Sequence, residues 1–202
     1  AATVSKARAS AATTLASAVT AELAGLAMAS SVIEVELTPI PPTAHGAEEV
    51  AIVLTPHPGA PARPLGQGAS GGELSRVMLA LEVSLAAARG DAAGGTFIFD
   101  EVDAGIGGRT ASQVGARLAE LSRTAQVIVV THLAQVAAYA DRQIVVAKGM
   151  GDGLTLTQVR TVENEERTQE LARMLSGETS DTAIRHAADL LVRAERGSID
   201  GI

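Results

Sequence analysis

The stretch Thr96–Glu101, TFIFDE, decides the fold class of this chain. Its apolar run leads straight into two carboxylates, and a second apolar run, Val127–Val130, follows a helical segment at about residues 109–123. Continuous rather than alternating apolar runs predict strands that are buried on both faces, and the strand–helix–strand order predicts that the two strands are parallel. We therefore expect an α/β fold with a mostly parallel sheet flanked by helices, and with Asp100 and Glu101 at the carboxyl end of a buried strand.

The composition is that of a globular chain and excludes several chemistries. Of the 202 residues, 47% are hydrophobic and 19% are charged, which suits one domain, or one domain plus an appendage. The chain has no cysteine, so disulfides, thiolate zinc sites and cysteine nucleophiles are excluded. It has one tyrosine and two phenylalanines, which argues against an RNA-binding sheet with stacking aromatics. Because the net charge is −7, any nucleic-acid contact needs a local basic patch.

The alanine-rich start of the chain predicts a packed or coiled helix. Leu15, Val19, Leu23 and Leu26 are spaced by three or four residues and form one stripe. The alternative is a targeting segment, but Glu22 interrupts the apolar stretch that such a segment needs. No run of about 18 apolar residues occurs, so we expect no transmembrane span.

Short β-type runs and helical patterns fill the rest of the chain. Two runs, Val32–Leu37 and Val50–Leu54, are separated by the breaker stretch Pro39–Pro42, and a proline-rich loop is expected at residues 56–69. A long helix follows, whose expected apolar face consists of Leu74, Val77, Met78, Leu81 and Leu85. The later elements are a helix at about 133–140, strands Gln143–Ala147 and Leu154–Thr161 around a glycine-rich turn, and helices at about 165–175 and 181–196.

Asp100 and Glu101 are the first candidate site. The carboxyl edge of an open α/β sheet is where such sheets bind ligands. In P-loop ATPases an acid at this position helps to hold magnesium, and a second acid can orient or activate the attacking water. The alternative is a strand that ends in a solvated acidic turn.

Ser70–Ser75, directly before the long helix, is the second candidate. Ser70 and Glu73 match the S-x-x-E capping box, so one interpretation is a well-capped helix. Gly71 and Gly72 stand in the first turn, where helix propensity disfavours glycine, and they would let a phosphate approach the backbone N–H groups. The two interpretations are compatible, because a capped helix start is also an anion site.

His132, which follows the second buried strand, is the third candidate. Because parallel strands end at the same edge of a sheet, His132 is expected to share the rim with the two acids and to touch a bound phosphate. The alternative is a structural histidine. A Walker A loop is missing from the sequence, since the pattern G-x-x-x-x-G-K-[ST] needs a lysine, and neither Lys6 nor Lys148 has the required neighbours.

Taken in order, these motifs resemble those of ABC-type ATPases. Ser70–Glu73 is similar to the signature motif, Asp100–Glu101 to Walker B, Asp103 to the D-loop and His132 to the H-loop. Glutamate rather than glutamine after the paired glycines, with a helical arm leading in, is similar to the SMC-like branch. The stretches that closely resemble the RecN family, bacterial ATPases that repair DNA double-strand breaks, are Ala69–Arg76, Phe99–Arg109, Thr131–Ala137 and Glu170–Leu175.

The resemblance implies a role for each site residue. Asp100 would help to bind Mg²⁺, and Glu101 would position and polarise the hydrolytic water. His132 would reach the γ-phosphate. Asp103 would lie in the loop across an interface between two heads, so that the active site is composite. The signature residues, which would bind the ATP held by the second head, are Ser70, Gly71, Gly72 and Glu73.

The resemblance covers about residues 50–195, and it also implies the partners of this stretch. The Walker A loop would belong to an N-terminal lobe on another segment of the same protein, so this chain alone should not turn over ATP. The other implied partners are a second head in a homodimer and double-stranded DNA, its ends in particular. The whole would be a cytoplasmic, nucleoid-associated ATPase that tethers or organises broken DNA ends, with no membrane contact.

We expect three segments along the chain. Residues 1–31 would form the end of a coiled-coil arm helix, and residues 32–196 the C-terminal lobe of the ATPase head. Residues 197–202 match nothing in the family and are expected to be a tail, a candidate for an extension added in cloning.

Three alternatives stay open at this point. One is the nucleotide-binding subunit of an ABC transporter, although Ala69 stands where transporter signatures usually have leucine. Another is a different SMC or RecF-type chromosome-maintenance ATPase, which the glycines at 105–108 disfavour. The third is a scaffold with a degenerate site. DNA contact is implied by the family rather than by charge, because the basic residues of the last helix form only a loose stripe: Arg185, Arg193 and Arg196.

Overall fold

The computed structural model describes residues 2–67, 69–89, 95–151 and 154–199. The centre of the predicted glycine-rich turn, at residues 152–153, and the last three residues of the predicted tail lie outside the described residues. The chain divides into two compact units. Unit 1 comprises residues 1–106 with 121–130, and unit 2 comprises residues 107–120 with 131–202.

Unit 1 contains a long helix, an antiparallel sheet, a second long helix and a parallel strand pair. Its elements are α1 (Ala2–Gly25), β1 (Val32–Thr43), β2 (Gly46–Thr55), β3 (Arg63–Pro64), a short 3₁₀ turn (Leu65–Gln67), α2 (Gly71–Arg89), β4 (Thr96–Phe99) and β5 (Gln126–Val129).

The predicted stripe on α1 is confirmed as the buried side of that helix. Val19, Leu23 and Leu26 are buried, Leu15 is half-buried, and the helix packs against β1 and α2. The Thr20 hydroxyl accepts a hydrogen bond from the backbone N–H of Ile33 at 3.1 Å, which ties the end of the helix to the start of β1. Buried leucine and valine at this spacing make α1 an integral part of unit 1.

The stretch Pro39–Pro42 does not break the first strand, contrary to the sequence prediction. β1 runs on to Thr43 and pairs with β2 antiparallel, with an irregularity in register between Pro39 and Thr43. β1 lies at the edge of the sheet β1-β2-β3. Proline lacks a backbone donor, and an edge strand is where that loss is tolerated, because one side of the strand has no ladder to complete.

The parallel pairing of β4 and β5 is confirmed, with Phe97 opposite Val127 and Phe99 opposite Val129. The prediction that both faces of β4 and β5 are buried is wrong for this chain. Phe99 is buried, but the opposite face is open, with 69% of Ile98, 44% of Ile128 and 59% of Val130 exposed. An apolar run in the sequence predicts that a face of the strand is buried, but it does not predict which segment buries that face. The described residues cover these three side chains only in part.

The long helix α2 buries a face that is rotated from the predicted one. Val77 and Leu81 are buried as expected, but Met78 is exposed, and Leu79, Ala80 and Val83 are buried instead. The reason is that α2 is covered on more than one side, whereas the sequence pattern predicted a single stripe.

Unit 2 consists of helices and one hairpin. Its elements are most of α3 (Gly108–Ser122), then α4 (Ala134–Ala137), β6 (Gln143–Gly151), β7 (Leu154–Val162), α5 (Asn164–Ser176) and α6 (Asp181–Ile199). β6 and β7 pair antiparallel. The last helix extends to Ile199, into the segment expected to be a tail, and α4 is shorter than the helix predicted at 133–140.

Small side chains form the core of unit 2. Ala134, Leu171, Ala172 and Ala187 are buried together where α4, α5 and α6 meet. Alanine at such positions lets helix backbones approach closely. Arg167 of α5 stabilises the C-terminal end of α4. Its Nη2 donates to the carbonyl of Ala137, the last residue of α4, and to the carbonyls of Ala138 and Ala140, which follow it.

Within the described ranges, no helix is long and apolar enough to span a membrane.

Candidate functional site

The capping box predicted at Ser70 and Glu73 is confirmed. The Glu73 carboxylate accepts hydrogen bonds from the Ser70 backbone N–H at 2.9 Å and from the Ser70 hydroxyl at 2.8 Å. In return, the Glu73 N–H donates to the Ser70 hydroxyl at 3.3 Å. The backbone bond from Ser70, with help from its hydroxyl and from the charge of Arg76, holds the pKa of Glu73 below its usual range. The start of α2 is therefore fixed, with a negative charge near its positive end.

The paired glycines let the loop after β4 lie directly against the first turn of α2. Gly72 is buried, and a Cβ there would lie 2.8 Å from the Cβ of Ala104 and 3.0 Å from the carbonyl oxygen of Glu101. A Cβ on Gly71 would run into the Oε2 of Glu101. The signature-like turn and the acidic loop are thus neighbours in space, although about 30 residues separate them in the sequence.

The two acids lie where the sequence predicted, directly after β4. Asp100 and Glu101 are both exposed, and the Oδ1 of Asp100 accepts a hydrogen bond from the Glu101 N–H at 2.9 Å. Glu101 has a φ of +57°, in the left-handed region that non-glycine residues rarely adopt. Such a conformation costs free energy and persists only where the surroundings impose it.

The remaining predicted residues are divided between the two units. Asp103 is buried in unit 1, with 3% of its surface exposed. His132 is exposed and belongs to unit 2, three residues after β5 ends. Unit 1 therefore brings together Ser70, Gly71, Gly72 and Glu73 with Asp100, Glu101 and Asp103. The placement of His132 at their rim stays a prediction.

Sequence reasoning missed Arg76. This side chain is buried, with 6% exposed, and it donates from Nη1 to the carbonyls of Ala104 at 2.9 Å and Val102 at 3.4 Å. Burial lowers its pKa, and the charge of Glu73 partly offsets this. The apolar pattern offered no signal for its burial, because helical periodicity places Arg76 on the side of the helix away from the predicted face of Leu74, Val77 and Leu81.

The donor set suits magnesium held mainly by phosphates. No cluster of three or more His, Cys, Asp or Glu side chains fit to hold a metal occurs among the described residues. Mg²⁺ usually keeps several waters and binds one or two carboxylates plus substrate phosphates, rather than a protein cage. Asp100 is an exposed carboxylate that directly follows a parallel strand, and a carboxylate oxygen is the kind of donor that such a magnesium site uses.

Comparison with solved structures identifies the fold. The chain aligns with the Smc head domain with a coiled coil and joint from Pyrococcus yayanosii at a TM-score of 0.55 and 22% identity, over 80% of this chain and 29% of that one. A second Smc head domain, from Pyrococcus furiosus with an extended coiled coil, aligns at a TM-score of 0.52 and 22% identity, over 80% of this chain and 38% of that one. The fold is that of an SMC-type head, of which this chain forms the C-terminal lobe.

Sequence similarity gives the family. No family model matches the chain. The DNA repair protein RecN of Streptomyces coelicolor is 52% identical over 94% of this chain and 36% of its own length. The RecN proteins of Mycobacterium leprae and Bacillus subtilis are 47% and 39% identical, over 96% and 81% of this chain and 36% and 28% of their own lengths. The chain belongs to the RecN family, and it spans about a third of the length of the curated relatives that it matches.

Proposed function

We propose that this chain is the C-terminal lobe of an ATPase head that acts in the repair of DNA double-strand breaks. The observation that carries the proposal is the meeting, within unit 1, of the capped glycine turn of α2 with the loop that holds Asp100 and Glu101. Membership of a family whose relatives are named DNA repair proteins supports the biological role.

Each group at this junction has a step to perform in ATP hydrolysis. Bound Mg²⁺ would neutralise the charge of the phosphates, and Asp100 would be its protein ligand. Glu101, one residue further on, would hold and orient the attacking water. His132 would donate to the γ-phosphate.

The start of α2 would serve a second nucleotide. Ser70, Gly71 and Gly72 would present a hydroxyl and backbone N–H groups to the γ-phosphate of ATP bound by another head, since a helix N-terminus with bare backbone donors favours anions. Asp103 would lie in the loop at the interface between the heads. Two copies of the head would then form two composite sites, which makes ATP a gate for dimerisation.

The open face of the parallel strand pair supports the need for an N-terminal lobe. Parallel strands are normally covered on both sides, yet Ile98, Ile128 and Val130 are exposed. The chain also has no Walker A loop, and about two thirds of the length of its relatives lies outside the matched stretch. An N-terminal lobe that carries Walker A would complete this sheet and supply the phosphate-binding loop.

Double-stranded DNA is the proposed substrate to be tethered. The support is family membership, and the arginines exposed on α6, Arg185, Arg193 and Arg196, are the side chains in this chain that we propose for a phosphate contact. The transporter alternative has no comparable support, because the relatives named above are DNA repair proteins.

ATP hydrolysis by the complete protein tests the proposal. Wild type and Glu101→Gln are compared with and without linear double-stranded DNA at low salt. We expect turnover to rise with DNA and to fall by ~100-fold or more in Glu101→Gln, with ATP binding retained, because water orientation is lost and nucleotide contacts are not.

The matched control is Glu49→Gln, an exposed glutamate on β2. It should hydrolyse ATP like wild type. Turnover in Glu101→Gln equal to wild type would remove Glu101 from the mechanism. Turnover that ignores DNA would leave the ATPase in place and contradict the repair role.

A further inference from the structure

Three alternate carbonyls of the loop after β4 are held by side chains of α2. The Ser75 hydroxyl donates to the carbonyl of Asp100 at 2.7 Å. Arg76 donates to the carbonyls of Val102 and Ala104. The two consecutive residues on α2 therefore grip the loop on both sides of Glu101. We call Ser75 and Arg76 the loop clamp.

An arginine is energetically unfavourable at a buried position whose only role is packing, and Arg76 is buried. It lies in the buried part of α2, next to Val77 and Leu79, and the desolvation of its guanidinium lowers its pKa. Burying a charge is unfavourable unless its hydrogen bonds are satisfied, and apolar residues of similar volume often stabilise a core as well or better. What arginine adds here is a long side chain whose Nη1 donates to two carbonyls at once.

The residue between the gripped carbonyls is the one with the unusual backbone. Glu101 adopts a φ of +57°, which is unfavourable for a residue with a Cβ, so the flanking chain must hold it there. The Asp100 carbonyl precedes Glu101, and the Val102 carbonyl follows it. Donors on both therefore fix the direction in which the Glu101 side chain leaves the loop.

We propose that Arg76, together with Ser75, is a positioning residue for ATP hydrolysis. The clamp holds the loop so that Glu101 is aimed at the attacking water, while neither Ser75 nor Arg76 touches the nucleotide. This inference rests on the proposed function, in which Glu101 orients that water. It predicts that loosening the clamp lowers kcat and leaves nucleotide affinity unchanged, because the Walker A loop belongs to another segment.

The test uses the complete protein with Arg76→Met, Arg76→Lys and Ser75→Ala. Methionine keeps the aliphatic bulk and removes the donors, and lysine restores the charge and one donor. We expect kcat to fall ~10- to 100-fold in Arg76→Met, the range that a small misplacement of a catalytic group costs, and less in Arg76→Lys and Ser75→Ala. Affinity for a fluorescent ATP analogue should stay within about twofold of wild type. The matched control is Arg89→Met, an exposed arginine in the last turn of the same helix, which should behave like wild type.

Amide hydrogen exchange in the nucleotide-free protein supplies a readout that needs no catalysis. In Arg76→Met the peptide covering residues 100–106 should exchange at least several-fold faster, while the β1–β2 hairpin keeps its wild-type rates. A fall in both kcat and loop protection supports the clamp.

Several outcomes would overturn it. Wild-type kcat in Arg76→Met, or unchanged loop exchange there, contradicts the positioning role. Weakened ATP affinity at unchanged kcat would make Arg76 a binding residue instead. If Arg76→Met does not fold, Ser75→Ala decides, and wild-type kcat and loop exchange in that variant reject the clamp. If Glu101→Gln hydrolyses ATP normally, the proposed function fails, whereas the exchange experiment still judges the contact between α2 and the loop.

Discussion

At the scale of single residues, the first two turns of α2 contain one side chain with local partners and another with distant partners. Ser70 closes the capping box with Glu73, a motif that four consecutive residues suffice to specify. Arg76, less than two turns later, has its partners in a loop about 26 residues away. The first contact could be predicted from the sequence because it is local. The second could not, because hydropathy assigns an arginine to the surface.

Replacing the cap should destabilise the protein modestly. Ser70→Ala removes the acceptor for the Glu73 N–H and is expected to lower the free energy of unfolding by about 1 kcal/mol, as for other N-caps. Urea unfolding, followed by circular dichroism, measures it. Ser10→Ala, an exposed serine inside α1, is the control and should change stability by less than about 0.5 kcal/mol. A loss as small in Ser70→Ala as in the control would contradict the capping role.

The same cap should make stability depend on pH. Because the pKa of Glu73 is lowered in the folded state, its carboxylate stabilises the fold above the ordinary value of about 4.3, and this contribution is lost as the pH falls below it. The difference in unfolding free energy between wild type and Glu73→Gln should therefore be largest near neutral pH and should shrink below about pH 4. A difference that stays constant from neutral to acidic pH would show that the charge of Glu73 contributes nothing.

At the scale of elements, the packing of α2 against the acidic loop depends on glycine at one position. Alanine stabilises a helix by about 1 kcal/mol relative to glycine, so helix propensity alone predicts that Gly72→Ala stabilises α2. The space does not allow it, since the new Cβ would lie 2.8 Å from the Cβ of Ala104. Both atoms belong to short, inflexible groups, so the loop must move.

We therefore expect Gly72→Ala to lose most ATP hydrolysis while its thermal midpoint falls only slightly. The measurement is steady-state turnover of the complete protein beside a thermal melt. Gly66→Ala is the matched control, because nothing lies within 4 Å of a Cβ at that glycine. Full activity in Gly72→Ala would show that the loop can shift without consequence for the site.

The edge strand β1 shows an element whose end the sequence misplaced. Pro39–Pro42 carries every mark of a break, yet the strand continues to Thr43 beside β2. Whether proline is tolerated depends on whether its missing N–H faces a neighbouring strand. That is a property of the sheet order, which no local window of sequence contains.

At the scale of the whole molecule, the open face of β4 and β5 is the feature with the largest consequence. Ile98, Ile128 and Val130 form an apolar face that is largely exposed to solvent in this chain. We expect Ile98→Asp to leave the stability of the 202-residue chain almost unchanged, because this side chain is already exposed. In the complete protein the same substitution should abolish ATP binding, since a charge buried under the N-terminal lobe is costly.

Thermal melts of the isolated chain and ATP-binding assays of the complete protein check both halves of that expectation. Val192→Asp, another exposed aliphatic residue, lies on α6 and serves as the control. It should change neither quantity. Normal ATP binding by the complete protein with Ile98→Asp would mean that no lobe docks on this face.

The sequence by itself determined what depends on neighbours in the chain. The parallel pairing of β4 with β5, the capped start of α2 and the buried stripe of α1 follow from apolar period, strand order and the pairing of serine with glutamate. The family resemblance of its motifs followed from the same stretches.

Only the tertiary structure decided which distant groups meet. That Gly72 leaves room for the Glu101 loop, that Arg76 reaches two of its carbonyls and that Ile98 faces water are facts of packing between segments. The reason is physical. The hydrophobic effect is non-directional, so an apolar pattern predicts which face of an element is buried but not which segment packs on it. Hydrogen bonds and close contacts between distant segments depend on distance and angle, so they form only when the two backbones lie side by side.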